Sequence, residues 1–388
     1  MRAIFSEKIP IKIWLSDLEE GALKQAKNLA NLPFSFHHVA IMPDAHQGYG
    51  MPIGGVLATK EVIIPNAVGV DIGCGMCALK TNLTAIDPPI LKKIMGQIRE
   101  VIPLGFKHHS RKQDRKLMPK NTDLKKQSIV QKEYENALMQ IGTLGGGNHF
   151  IEIQRGNDGF IWIMIHSGSR NFGLQIAQYY NKLARKLNTE QKLNIPLQWD
   201  LAFLTIDSRE GKDYIREMQY CVDFALANRK LMMDRIVQIF EKETKSKINL
   251  AEIVNIAHNY AALEEHFGQK VWVHRKGATL AKKETIGIIP GSQGSKSYIV
   301  KGKGNLDSFN SCSHGAGRRI GRHEAQKTLN LAEEIKKLDD QNIIHAIRHK
   351  KDLDEAPGVY KNIDAVMKNQ EDLVEILVEL QPLAVIKG

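Results

Sequence analysis

The sequence predicts an α+β or complex α/β fold, on three observations. Short apolar runs bounded by glycine turns read as strands: FIWIMI (160–165), KVWVHRKG (270–277), TIGIIPG (285–291) and KSYIVKG (296–302). Long stretches with amphipathic patterning and few breakers read as helices. The two kinds are mixed without strict βα alternation, which argues against a simple doubly wound sheet.

In chain order, residues 16–31 predict a helix, with Ser16 and Glu19 in capping-box spacing. Residues 61–70, EVIIPNAVGV, predict a buried strand interrupted by proline and running into the turn GVDIGCGM (69–76). Residues 107–132 are the most basic part of the chain and have little apolar periodicity, so they read as an exposed loop or a phosphate-backbone contact. Residues 133–142 predict a helix that exits sharply at LGGGNHF. Residues 175–188 and 213–245 predict further helices. The C-terminal third returns to helix over 322–338 and 362–380. No internal repeat or low-complexity linker divides the chain.

The composition bounds the class. A hydrophobic share of 43% over 388 residues suits a globular protein whose core needs no disulfides. Four cysteines, Cys74, Cys77, Cys221 and Cys312, form no framework; with no signal-peptide pattern they suggest a reducing cytoplasm. No apolar run is long enough for a membrane span. A net charge of +11 points to a polyanionic partner, nucleic acid first.

Histidines gather in glycine-rich turns at the ends of apolar strands: His46, His149, His166, His258 and His314. Such turns are where chemistry is mounted on a rigid scaffold. His149, His166 and His258 together with Asp71 and Cys74 supply imidazole, carboxylate and thiolate. That set suits a transition metal and exceeds what one tetrahedral site needs, so a binuclear centre is expected. Cys74 and Cys77 make one C-x-x-C, with no second pair to complete a zinc finger. PGSQGSKS (290–297) and GAGRR (315–319) could approach a phosphate, although neither is a Walker A loop. His314, flanked by small residues, could attack a phosphorus centre.

The segments MPDAHQGYGMPIGG, GVDIGCGM, LGGGNHFIEI, HSGSR, HNYA, RKGAT, IIPGSQGSKSYIV, CSHGAGR, YKNIDAVM and VIKG, in that order over nearly the whole chain, resemble the RtcB family of RNA ligases. The resemblance implies a single catalytic domain over residues 1–388 around a central metal and nucleotide cleft. It implies joining of RNA ending in a 3′-phosphate or 2′,3′-cyclic phosphate to RNA with a 5′-hydroxyl, in tRNA splicing or RNA repair, using GTP and two Mn²⁺ ions. Cys74 would bridge the ions, with Asp71 and His149 on one and His166 and His258 on the other. His314 would be the guanylylated nucleophile, oriented by Asp44. Asn148, Glu152, Ser292, Ser297, Gly315, Ala316, Gly317, Tyr360 and Lys387 would form the nucleotide pocket, Glu152 facing the guanine edge. An archease-like activating protein is a further implied partner. Two other readings are a metal-dependent phosphoesterase, which would not need His314, and a noncatalytic RNA-binding paralogue, which would have lost the ligands this chain retains.

Overall fold

The computed structural model describes residues 1–120, 127–193 and 195–388. Two large sheets carry the architecture. The larger has seven strands, in the order Val254–Ala257, Gly75–Lys80, Ile161–Ser167, Phe150–Gly156, Val374–Lys387, Ser297–Gly302 and Ile286–Ile289. Every neighbouring pair in it is antiparallel. The second has six strands, Arg2–Ile4, Ile11–Ile13, Ser35–His46, Ile53–Thr59, Gln269–Lys276 and Asn259–His266, with one parallel pair. Helices and sheets together make the expected mixed α/β class.

The strands Gly75–Lys80, Phe150–Gly156 and Ile161–Ser167 of the seven-stranded sheet are buried on both faces, so they read as continuous apolar runs rather than alternating ones. Ile161, Ile163 and Ile165 face one way with Ile151 and Ile153, onto the helices Pro88–Val101 and Arg209–Thr244. Trp162 and Met164 face the other way with Met76, Phe150, Ile288 and Ile299. Each such buried aliphatic side chain contributes about 1.5–3 kcal/mol relative to exposure. Among the described residues no helix is long and apolar enough to cross a membrane.

Several sequence expectations are corrected. The first helix is Glu20–Ala30, and Glu19 caps it without a side-chain bond, so Ser16 forms no capping box; the Glu19 carboxylate accepts from the Gln47 amide instead. Over 61–70 only Val62–Ile63 is strand, and Pro65 opens a short helix to Val68, because proline's missing N–H costs nothing at that position. The described residues of the basic stretch 107–132 include the helical turn Arg115–Leu117 and the start of the helix Ser128–Ala137; residues 121–126 of it lie outside the described ones. The expected helix 322–338 is two, Arg322–Thr328 and Leu331–Asp339, since Asn330 turns its side chain onto the amides of Ala332 and Glu333 and starts the second.

The largest correction is at 362–380. The helix there stops at Lys368, and Val374–Lys387 is a central strand. It is paired on both sides, by Phe150–Gly156 and by Ser297–Gly302. Ladder bonds along both edges outweigh a weak helical preference. Pro382, which would break a regular central strand, falls where the register shifts.

Candidate metal and nucleotide site

The large sheet explains why distant turns meet. Gly75 is opposite Ala257 on one side and Ser167 on the other, so Cys74, His258 and His166 emerge at one end of neighbouring strands. Phe150 is opposite both His166 and Lys387, which brings His149 and Lys387 to the same end. Gly75 has to be glycine: a Cβ there would lie 1.9 Å from the Ile256 carbonyl oxygen.

The five expected ligands converge. Donor atoms of Asp71, Cys74 and His149 lie within 4.8 Å of one another, and so do those of Cys74, His166 and His258. Cys74 belongs to both triads. Its Sγ is 3.4 Å from His149 Nε2 and 3.3 Å from His166 Nε2. Asp71 Oδ2 is 3.2 Å from His149 Nε2. This donor set fits one or two transition-metal cations: soft thiolate, imidazole and carboxylate, with one sulfur placed to serve both groups. Cys77, by contrast, points into the apolar core beside Ile165 and Ile236, where burial pushes its thiol up to about 12. The C-x-x-C is therefore no chelating pair.

Protonation states follow from the surroundings. Burial drives His166 and His258 well below the usual histidine range, so both rings are neutral. His166 donates from Nδ1 to the Asn148 carbonyl at 3.1 Å, which leaves an Nε2 lone pair facing Cys74. Arg170 lies 3.1 Å from His149 Nδ1, and the ring turns Nε2 toward Asp71 and Cys74. Burial opposes ionisation of Asp71, yet His149 and Arg170 hold its carboxyl down at about 2. The Cys74 thiol is raised well above its ordinary value, first by burial and then by the Asp71 charge. A divalent cation is the group that reverses this, since coordination deprotonates a thiol. His258 Nδ1 is buried and has no hydrogen-bond partner.

His314 adjoins the second triad, its ring centroid 4.8 Å from that of His258. Asp44, fully buried, puts Oδ2 2.7 Å from His314 Nδ1 and accepts the amides of His314 and Gly315 at 3.1 and 3.2 Å. A carboxylate on the Nδ1 side leaves Nε2 as the reactive nitrogen. Gly317 lets the chain pass this close, with φ +74° and a Cβ position 2.1 Å from the Asp44 carbonyl oxygen.

The residues expected around the nucleotide are linked by contacts. Gln154 donates to Glu152 at 2.7 Å and to Ser297 Oγ at 3.1 Å. Burial raises the Glu152 carboxyl to about 8, although Lys387 pulls the other way. Ser292 pairs with Ser295 in the same turn, and neighbouring Gln293 donates to the Glu355 carbonyl. Ala316 belongs to the apolar cluster against which Tyr360 packs. Tyr360 bonds to the Glu355 carboxylate, and Lys387 Nζ lies 3.8 Å from it. Arg318 and Arg322 reach the same carboxylate at 2.9 and 3.1 Å. Arg318, Arg319 and Lys296 are thus engaged by protein groups: Glu355, the Gly358 carbonyl and Glu379.

Sequence reasoning missed Arg170 and Glu355. Arg170 closes the HSGSR turn at φ +57°, unusual for a residue with a side chain, and the motif itself was the available signal. Glu355 sits in a segment with no metal or phosphate pattern. A cavity of about 930 Å³ opens beside this cluster, lined by Asp71, Asn148, His149, Arg170, Arg322 and Phe106 among others.

The class defined is a mixed α/β protein with two adjoining triads of candidate cation ligands sharing one thiol, next to a carboxylate-backed histidine. The chain belongs to the RtcB family: the family described as "tRNA-splicing ligase RtcB" matches residues 25–125 and 118–388. It is 40% identical over 405 residues to the RNA-splicing ligase RtcB of Escherichia coli strain K12, covering 99% of this chain and 98% of that one. It is 32% identical over 459 residues to the tRNA-splicing ligase RtcB of Nanoarchaeum equitans, covering 98% and 95%.

Proposed function

We propose that this protein is a GTP- and Mn²⁺-dependent RNA ligase, joining RNA with a 3′-phosphate or 2′,3′-cyclic phosphate to RNA with a 5′-hydroxyl. The observation that carries the reading is the pair of triads sharing Cys74, with His314 beside them and Asp44 behind it. The relatives' names support an RNA-joining reaction.

Asp71, Cys74 and His149 would hold one ion, and Cys74, His166 and His258 the other. Bound there, the metals would polarise phosphoryl oxygens and offset developing negative charge. His314 Nε2 attacks the α-phosphorus of GTP; the bond to the β-phosphate oxygen breaks and pyrophosphate leaves. Asp44 holds the Nδ1 proton of the resulting phosphoramidate. An oxygen of the RNA 3′-phosphate then attacks that phosphorus and the P–N bond breaks, giving an RNA 3′-pp-G end. The 5′-hydroxyl attacks the RNA phosphorus, loses its proton, and GMP departs. A cyclic phosphate is first opened by water. Glu152, Ser297, Tyr360 and Lys387 fix the nucleotide, with the ionised Glu152 accepting from guanine N–H groups. Basic surface holds the RNA backbone, so affinity falls with salt.

The test is incubation with α-³²P-GTP and Mn²⁺, without RNA, followed by denaturing electrophoresis and acid. The expected result is an acid-labile label on the wild type and none on His314→Ala. An unlabelled, metal-loaded wild type that hydrolyses phosphoesters, with His314→Ala equally active, would overturn the reading in favour of a phosphoesterase.

A further inference from the structure

Phe106 is 98% exposed, more than any other large apolar side chain among the described residues. It also lines the cavity that holds Asp71 and His149; the other strongly exposed aromatics, Phe5 and Tyr49, do not. Its position is fixed by the backbone around it. Leu104 bridges to Gly145, and the Gly105 amide donates to the Gly145 carbonyl at 3.1 Å. That ties Phe106 to the loop carrying the candidate ligand His149. On its other side the Lys107 amide closes a turn onto the Leu104 carbonyl, and the His109 and Gln113 amides bond to Met139 and Leu138. Arg235 clamps His109 and Gln113 from the long helix, at 3.1 and 2.6 Å. The loop is held in place, with Phe106 and the adjoining Lys107 and His108 presented to solvent.

The charge around the ring selects the partner. Lys107, Arg111 and Lys116 belong to the same segment, and Arg170 and Arg322 line the same cavity. An aromatic face set in basic surface is the arrangement that takes single-stranded nucleic acid: cations follow the backbone while a base stacks on the ring. We propose that Phe106 is a stacking platform for an unpaired base of the RNA strand whose end enters this cavity. The platform rests on the ligase reading, since it presumes an RNA end at the metal cluster. It holds the strand and does not take part in bond making.

The test is direct binding of a 3′-phosphorylated single-stranded oligoribonucleotide carrying 2-aminopurine near its 3′ end, with Mn²⁺ and without GTP. Phe106→Ala should weaken binding by roughly five- to a hundredfold, the range of one lost base–aromatic stack. It should abolish the quenching of 2-aminopurine that stacking produces. The slope of log K against log salt should stay as in the wild type, because no charge is removed. Phe106→Trp should restore both affinity and quenching. The side chain is almost wholly exposed, so an unchanged melting temperature is expected and separates lost stacking from lost folding. Affinity within twofold of wild type with quenching intact would overturn the proposal and leave the ring to another class of partner. Failure of the ligase reading would show elsewhere, as a wild type that takes no label from GTP.

Discussion

Two neighbouring polar clusters are built on opposite principles. The candidate metal cluster brings a thiol, a carboxylate and three imidazoles together with little compensation. Its buried histidines are neutral, its thiol is protonated, and one ring nitrogen of His258 has no partner. The Glu355 cluster is the reverse. One buried carboxylate is met by Arg318, Arg322, Tyr360 and Lys387, and they hold it below the ordinary carboxylate range although burial opposes them. The first cluster leaves donors without a counter-charge from the chain; in the second the carboxylate finds its counter-charges within the chain. Buried polar groups need partners, and the missing partner is a guide to the ligand.

Three experiments break or sharpen this contrast. The largest effect is expected from Cys74→Ala, which removes the donor both triads share. Mn²⁺ binding, read by calorimetry, and GTP labelling should both fall below detection, while the melting temperature of the metal-free protein moves little. Undiminished metal binding would remove the shared-thiol assignment.

Glu355→Gln should act the other way round, on the fold itself. Taking one charge from a buried pair leaves cations uncompensated, which costs about 3–5 kcal/mol; the half-exposed Arg322 places the loss at the lower end. Chemical denaturation of the metal-free protein measures it. A variant as stable as wild type would mean that the cluster serves nucleotide binding rather than folding.

The smallest and most specific effect belongs to Glu152. Its carboxyl, held at about 8 by burial, is largely protonated at neutral pH in the nucleotide-free protein. Guanine's N–H groups require the ionised form. GMP affinity should therefore rise with pH, by at most about tenfold per unit below 8, and level off above it. Glu152→Gln should flatten that profile. A wild-type affinity that is constant from pH 6 to 9 would detach Glu152 from the guanine edge.

Much of the candidate site was legible because its signals are local. GVDIGCGM, GGGNHF, IMIHSGSR, IAHNYA and SCSHGAG each place a chemically capable side chain in a glycine turn. The core strands 161–165, 270–276 and 297–302 were legible for the same reason, as short apolar runs between glycines. The misreadings share a different cause. Residues 374–380 carry a spacing compatible with helix, and only the ladders on both sides make them strand. Ser16 had capping-box spacing, yet the helix starts four residues later because Glu19 is occupied by the Gln47 amide from another part of the chain. Glu355 and Arg170 gained their roles through partners distant in the chain, which no local pattern encodes.

The sequence by itself determined the mixed α/β class, the basic surface, the chemical types of the candidate ligands and the family. These depend on residue identity and short-range spacing. Only the tertiary structure decided that the ligand turns meet, that Cys74 rather than Cys77 faces them, that Asp44 backs His314, and that Phe106 stands at the mouth of the same cavity. Those facts are set by strand pairing between residues far apart in the chain. A register shift of one residue would turn every side chain of a strand to its other face, so it is the completed sheet that settles which groups share a site.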